Sequence, residues 1–198
     1  MESFEKLIAD FPKQFAFEPR VENAERLPKA GSFVVGGMGG SHLAADLIKA
    51  AEPSLDLIIH KNYGLPVPMD IEKKLFIAVS YSGDTKETLD FAEQALVKKI
   101  ALAVISKGGK LIAFAQKNNL PHIILPNAGL PPRMATGFVM TALLRLMGME
   151  KKITELKTAN FIAEQNKKIA EVIGDSIPLF YASEQNEALA HYWKIIIN

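Results

Sequence analysis

The sequence predicts an α/β fold, a three-layer αβα sandwich around a five-stranded parallel sheet in the order 2-1-3-4-5. Three observations predict it. Short, continuously apolar runs such as Leu75-Phe76-Ile77-Ala78-Val79 recur along the chain, the pattern of strands buried on both faces. Most of these runs are followed by a stretch of helical character, the alternation that builds parallel βαβ units. The two turns richest in glycine and serine both follow apolar runs, and such sheets collect ligands beyond the carboxyl ends of their strands.

The elements follow in order. Residues 3–16 read as a helix, and about 20–27 as another reached through Pro19. Gly31-Ser32 opens the first strand, Phe33-Val34-Val35, which ends in Gly36-Gly37-Met38-Gly39-Gly40-Ser41, with a helix from about 42 to 51. Leu55-Asp56-Leu57-Ile58-Ile59 is the second strand, and Lys61-Asn62-Tyr63-Gly64 through Pro68 a loop. The third strand, 75–79, runs into Ser80-Tyr81-Ser82-Gly83-Asp84-Thr85-Lys86-Glu87-Thr88 and an amphipathic helix over 89–96. Ile100-Ala101-Leu102-Ala103-Val104-Ile105 is the fourth strand, closed by Ser106 and Gly108-Gly109. A helix over 110–118 precedes the fifth strand, His122-Ile123-Ile124-Leu125. The order 2-1-3-4-5 sets the turns after strands one and three side by side in one crevice.

Beyond Pro126, the segment Gly129-Leu130-Pro131-Pro132-Arg133 leads into an apolar helix from Met134 to about Gly148. A second long helix is expected over about 150–173, with Ile153, Leu156, Phe161, Ile169 and Ile173 on or near one face. Gly174-Asp175-Ser176 breaks it, residues 177–183 read as a new strand, and 184–194 as its helix. The apolar tail Ile195-Ile196-Ile197-Asn198 calls for a neighbour to cover it. The chain therefore divides into a helical arm (1–30), the sandwich (31–150), and a linker helix with the start of an incomplete second half (151–198).

Composition narrows the function. Among 198 residues, 23 Lys and Arg balance 22 Asp and Glu. With no dense basic block and little aromatic interleaving, a nucleic-acid surface is not expected. No apolar run approaches the roughly 20 residues that span a bilayer, and Met1-Glu2-Ser3-Phe4-Glu5-Lys6 is unlike a secretory signal. The chain has no cysteine, which removes disulfides, thiolate catalysis and cysteine metal sites. His42, His60, His122 and His191 show no metal-ligand spacing. A cytoplasmic protein is the expectation.

The turn over 80–88 carries the strongest signal. At a strand-to-helix junction, unpaired helix N–H groups and the dipole favour an anion, and Ser80, Ser82 and Thr85 add neutral donors suited to phosphate oxygens. The same residues also cap helices, so both readings stand on the turn alone. The glycine turn fails the dinucleotide pattern because His42 stands where a third glycine is required, and His60 and Lys61 replace the ribose-binding acid. Its glycines do let backbone approach a ligand. Arg133 sits at a helix start, against the dipole, as a cation serving an anionic ligand or intermediate would. Asp84 and Glu87 are explained equally by a solvated first helical turn.

Taken together and in this order, the Gly-Gly-Met-Gly-Gly-Ser turn (36–41), Ser-Tyr-Ser-Gly-Asp-Thr-Lys-Glu-Thr-Leu (80–89) and Leu-Pro-Pro-Arg (130–133) resemble a SIS (sugar isomerase) domain of the bifunctional phosphoglucose/phosphomannose isomerase family. The resemblance covers about 31–150 well and continues more loosely to the end. It implies metal-independent aldose–ketose isomerisation of glucose 6-phosphate or mannose 6-phosphate to fructose 6-phosphate through an enediolate. Gly40 and Ser41 would approach the sugar phosphate, Ser80, Ser82 and Thr85 would hold the phosphate, and Arg133 would be the catalytic stabiliser of the enediolate. His42 replaces a usually small residue and Asp84 a usual asparagine. The family's proton-transferring glutamate, ring-opening histidine and later lysine lie in the second half, and the chain stops shortly before that glutamate. The alternatives are a non-catalytic sugar-phosphate-binding module, an inactive fragment of a longer enzyme and, more distantly, a nucleotide-binding oxidoreductase. A homodimer is expected from the apolar helix at 134–148 and the tail at 195–197.

Overall fold

The computed structural model describes residues 4–67, 70, 73–159 and 163–197. Among them, five parallel strands form one sheet in the order β2-β1-β3-β4-β5: β1 (Ser32–Gly37), β2 (Asp56–His60), β3 (Leu75–Val79), β4 (Leu102–Ser106) and β5 (His122–Ile124). The predicted fold and strand order are the observed ones. Register puts Val34 beside Phe76 and Val35 beside Ile77, so the two faces alternate residue by residue.

Each face has its own helices. Val34, Phe76, Ala78 and Val104 point toward α3 (Lys86–Val97) and α4 (Gly109–Lys117), packing on Phe91, Ala95 and Leu111. Val35, Ile77, Val79 and Ile105 point the other way, onto Ala44 and Ile48 of α2 (Leu43–Ala51) and Val139 and Leu143 of α5 (Thr136–Leu146). Covering both faces is why these strands read as unbroken apolar runs. Gly36 belongs to this packing: a Cβ there would lie 2.6 Å from the Phe91 ring.

The N-terminal arm is α1 (Phe4–Asp10) followed by a 3₁₀ stretch, Phe11–Ala16, with Pro12 in its first turn. The helix expected over 20–27 is absent. Glu22 instead exchanges two backbone hydrogen bonds with His122, extending the β5 edge, and only Ala24–Arg26 makes a 3₁₀ turn. Pro19 and Pro28 restrict the residues before them, and Asn23 sits at φ 56° in the left-handed region.

The C-terminal part departs further from expectation. The long helix over 150–173 is two helices, α6 (Glu150–Lys157) and α7 (Ala163–Ile173). The Thr158 hydroxyl donates to the carbonyls of Thr154 and Glu155 where α6 stops. Ile153 is buried on the core while Ile169 is exposed, so the supposed common stripe is not one face. Phe161, Pro68 and Asn198 lie outside the described residues.

Residues 177–183 do not form a strand. Their alternation is strand-like, but a strand needs a ladder partner, and Ile177, Leu179 and Tyr181 stand 89%, 74% and 89% exposed. The following helix, after a 3₁₀ turn at Glu184–Asn186, is α8 (Glu187–Ile197). It takes in Ile195 and Ile196, which are partly covered rather than forming a bare tail. α5 is spent inside the chain's own core, so that helix gives no reason for a dimer. No described helix is long and apolar enough to cross a membrane.

Candidate functional site

The site forms where the ends of β1 and β3 meet the segment after β5. The sequence identifies all three segments; the structure adds how they are locked together. Ser80 is fully buried, and its Oγ lies 2.8 Å from Thr85 Oγ1 and 3.5 Å from Ser82 Oγ while accepting from Gly83 N at 3.1 Å. Ser82 is exposed, and its hydroxyl accepts from Asp84 N at 3.3 Å. Three hydroxyls therefore cluster at the start of α3.

This arrangement leaves the helix start without the expected side-chain cap. Thr85 is the N-cap residue of α3, yet it makes no side-chain capping bond, because its hydroxyl is turned to Ser80. Thr88 donates back to the carbonyl of Val79. The first amides of α3 are left without a side-chain cap, the condition in which a helix start accepts an anion.

Asp84 is turned elsewhere. Its Oδ1 accepts from Lys110 N, in the first turn of α4, at 3.2 Å, so its carboxylate braces the neighbouring helix instead of facing the hydroxyl cluster. Gly83, at φ 86°, completes the brace: its carbonyl accepts from Leu111 N at 2.9 Å. Any side chain there would strike Gly108 O, only 1.9 Å from a built Cβ.

The glycine turn joins the other two segments. Ser41 is buried, and its Oγ accepts from Tyr81 N at 3.0 Å, tying the end of β1 to the serine turn. A Cβ on Gly40 would lie 2.6 Å from Arg133 N, so only glycine allows the turn to meet the Pro132–Met134 3₁₀ turn so closely. The Thr136 hydroxyl donates to Arg133 O at 3.0 Å. Arg133 Nε is buried without a hydrogen-bond partner among the described residues. A buried, unpaired guanidinium nitrogen is costly unless something anionic meets it.

Tyr81 props the approach to Arg133. Its ring is buried and its hydroxyl lies against the backbone of Ala128 and Leu130 without a well-formed hydrogen bond. Burial holds the phenol above its ordinary value, the two backbone groups pulling weakly the other way.

Next to Ser41, His42 Nδ1 meets Asp46 Oδ2 at 2.6 Å, and Lys61 Nζ reaches the same oxygen at 3.0 Å. Burial pushes the Asp46 carboxyl up, but the bonds from His42 and Lys61 outweigh it and leave the group lowered. α8 packs over this edge, with His191 stacked on His42 at 6.4 Å and Tyr192 near the Thr136 side chain. His60 and His122 belong to other surroundings, against Phe91 and the Leu120 carbonyl respectively. Among the described residues no group of His, Asp and Glu is arranged to hold a metal.

Gly40, Ser41, Ser80, Ser82, Thr85 and Arg133 are thus gathered where the ends of β1 and β3 meet the turn after β5. The sequence reading missed Gln14, whose amide reaches across from the N-terminal arm to Met134 and Gly137. A lone glutamine carries no pattern, and only its place beside the buried Phe15 hinted that it points inward.

The fold is shared with a solved sugar isomerase structure. A tagatose-6-phosphate ketose/aldose isomerase from Escherichia coli superposes with a TM-score of 0.54 at 14% identity, covering 95% of this chain and 56% of that one. In sequence, the chain is similar to bifunctional phosphoglucose/phosphomannose isomerases. It is 31% identical to the Thermoplasma volcanium protein of that name over 188 residues, which is 90% of this chain and 60% of the relative. It is 30% identical to the Aquifex aeolicus one, over the whole of this chain and 63% of the relative. A Sulfolobus acidocaldarius protein named D-glucosamine-6-phosphate 4-epimerase is also 30% identical, over 84% of this chain and 54% of its own length. The chain thus spans about three fifths of the length of the first two relatives. No family model matches it.

Proposed function

We propose that this site binds a hexose 6-phosphate and serves its aldose–ketose isomerisation, glucose 6-phosphate or mannose 6-phosphate to fructose 6-phosphate. The observation that carries the reading is the pairing of an uncapped, hydroxyl-lined helix start with a buried, unpartnered Arg133 Nε. Ser80, Ser82, Thr85 and the first amides of α3 take the phosphate. Gly40 and Ser41 admit the sugar close to the backbone. As a proton moves between C1 and C2 an enediolate forms, and Arg133 places a fixed cation against that charge, where a preorganised donor acts most strongly. The transfer itself needs an acid–base group beside these hydroxyls, amides and guanidinium.

Relatives named for isomerases and for a 4-epimerase share a sugar phosphate, which supports the ligand class more broadly than the reaction. The scheme requires neither metal nor organic cofactor. The groups it names all fall within 31–150, the proposed SIS domain, with 1–30 as its arm and 151–198 as a linker and the opening of a second half. A cytoplasmic homodimer completes the proposal, supported by the exposed Ile177, Leu179 and Tyr181, which a second copy would cover. Sedimentation as a monomer at high concentration would remove the dimer.

A coupled assay converting fructose 6-phosphate to glucose 6-phosphate tests the reaction, with Arg133→Ala beside the native chain. Loss of about 10²–10³-fold in turnover is expected on removing the stabilising cation. Undiminished turnover in the variant would show that Arg133 does not face the reacting carbons. Bound fructose 6-phosphate without turnover in the native chain would reduce the function to sugar-phosphate binding.

A further inference from the structure

We propose that Gln14 is a positioning residue for Arg133, acting from the N-terminal arm on the segment that carries the guanidinium. This rests on the sugar-phosphate reading of the site. Gln14 is buried, and its amide Nε2 donates to Met134 O at 2.6 Å. Its Oε1 accepts from Gly137 N at 3.0 Å and from Phe138 N at 3.3 Å. One amide thus holds both sides of the junction between the Arg133 turn and α5, 119 residues away in sequence (133 minus 14). Its orientation follows from its partners, because a flipped amide would set carbonyl against carbonyl and NH₂ against two N–H groups.

The fit is mutual. A Cβ on Gly137 would lie 2.7 Å from Gln14 Cβ and 3.0 Å from its Oε1, so glycine at 137 is the space that Gln14 occupies. Gln14 Oε1 also fills the capping place at the start of α5, which has no cap from its own N-cap residue. Of the groups near Arg133, Thr136 holds its carbonyl and Gly40 packs on its nitrogen, but its Nε has no protein partner among the described residues. The guanidinium is therefore aimed by its backbone, and Gln14 fixes that backbone immediately beyond it. Catalytic groups must be held within about half an ångström to act, and a displacement of about 1 Å can cost on the order of a hundredfold.

The test separates aiming from folding. Two probes share a phosphate: fructose 6-phosphate, and a five-carbon hydroxamate that mimics the enediolate. Their dissociation constants are measured on the native chain, Gln14→Glu, Gln14→Met and Gly137→Ala, with melting temperatures alongside. Gln14→Glu keeps an acceptor for the two α5 amides but sets a carboxylate against Met134 O. The hydroxamate should bind the native chain more tightly. In Gln14→Glu that advantage should fall on the order of tenfold or more, with fructose 6-phosphate affinity little changed and the melting temperature lowered by the buried carboxylate. Gln14→Met and Gly137→Ala, which disturb the same contact from either side, should move the ratio in the same direction and keep the test open should one variant not fold. Variants that fold and keep the full advantage, or that lose both ligands equally, would overturn the inference while leaving the site reading intact. A native chain that binds neither probe would overturn both.

Discussion

Gly40 and Arg133 meet backbone to backbone: a methyl group on Gly40 would stand 2.6 Å from the Arg133 nitrogen and 2.7 Å from the Pro132 carbonyl carbon. Neither neighbour is the yielding end of a side chain. Gly40→Ala must push the arginine turn outward, and overpacking of this kind costs about 1–3 kcal/mol. A lowered melting temperature together with weaker fructose 6-phosphate binding is expected, measured by thermal unfolding with and without ligand. Unchanged binding would show that the closeness of the two turns does not matter to the site.

Ser80 and Ser82 should behave differently although both belong to the hydroxyl cluster proposed to hold phosphate. Ser80→Ala leaves the Gly83 amide buried without its acceptor, a loss of about 1–3 kcal/mol in stability. Ser82 is exposed, so Ser82→Ala should stay within about 0.5 kcal/mol in stability. It should still weaken sugar-phosphate binding, since a hydrogen bond to a charged group is worth about 1.5–3 kcal/mol. Equal effects of the two substitutions on denaturant midpoints would contradict the geometry.

Asp84 presents a carboxylate one residue from Gly83, engaged with Lys110 N and so turned from the proposed phosphate position. Asp84→Asn keeps an acceptor for that amide and should leave fructose 6-phosphate affinity nearly unchanged. Asp84→Ala should cost about 0.5–2 kcal/mol, as losing a helix cap does. A large gain in affinity in Asp84→Asn would mean the carboxylate does face the ligand.

Asp46 links stability to pH. Its carboxyl is raised by burial but lowered more strongly by His42 and Lys61, so its folded value falls below the unfolded one. Between the two values the unfolded chain binds more protons, and stability rises with pH. The contribution is therefore complete above the ordinary aspartate value, near about 3.9, and is lost as pH falls through the lowered folded value. Asp46→Asn should flatten the acid limb of a melting-temperature profile relative to the native chain. Identical acid limbs would show that the His42–Asp46–Lys61 contact contributes nothing to folding.

The sandwich and its candidate site were legible because buried parallel strands are written locally, as unbroken runs such as 75–79 and 102–106. The turns that close them carry glycine, serine and arginine in places that need them. What was not legible depends on partners distant in sequence. Residues 177–183 alternate like a strand, but pairing is not a local property, and here they have no ladder. Glu22 found its backbone partner at His122 instead of a helix. Asp84 read as a residue of a solvated helical turn, and its bond to Lys110 N comes from a neighbouring helix 26 residues on. Gln14 acts only through a fold that brings the arm onto α5.

Calorimetric titration of the native chain with fructose 6-phosphate, with unphosphorylated fructose and Ser82→Ala as companions, bears most directly on the function. Binding of the phosphorylated sugar, no detectable binding of fructose, and an affinity reduced about tenfold or more in Ser82→Ala would place the phosphate at the start of α3. No heat with fructose 6-phosphate, or an affinity indifferent to Ser82→Ala, would contradict a sugar-phosphate site there.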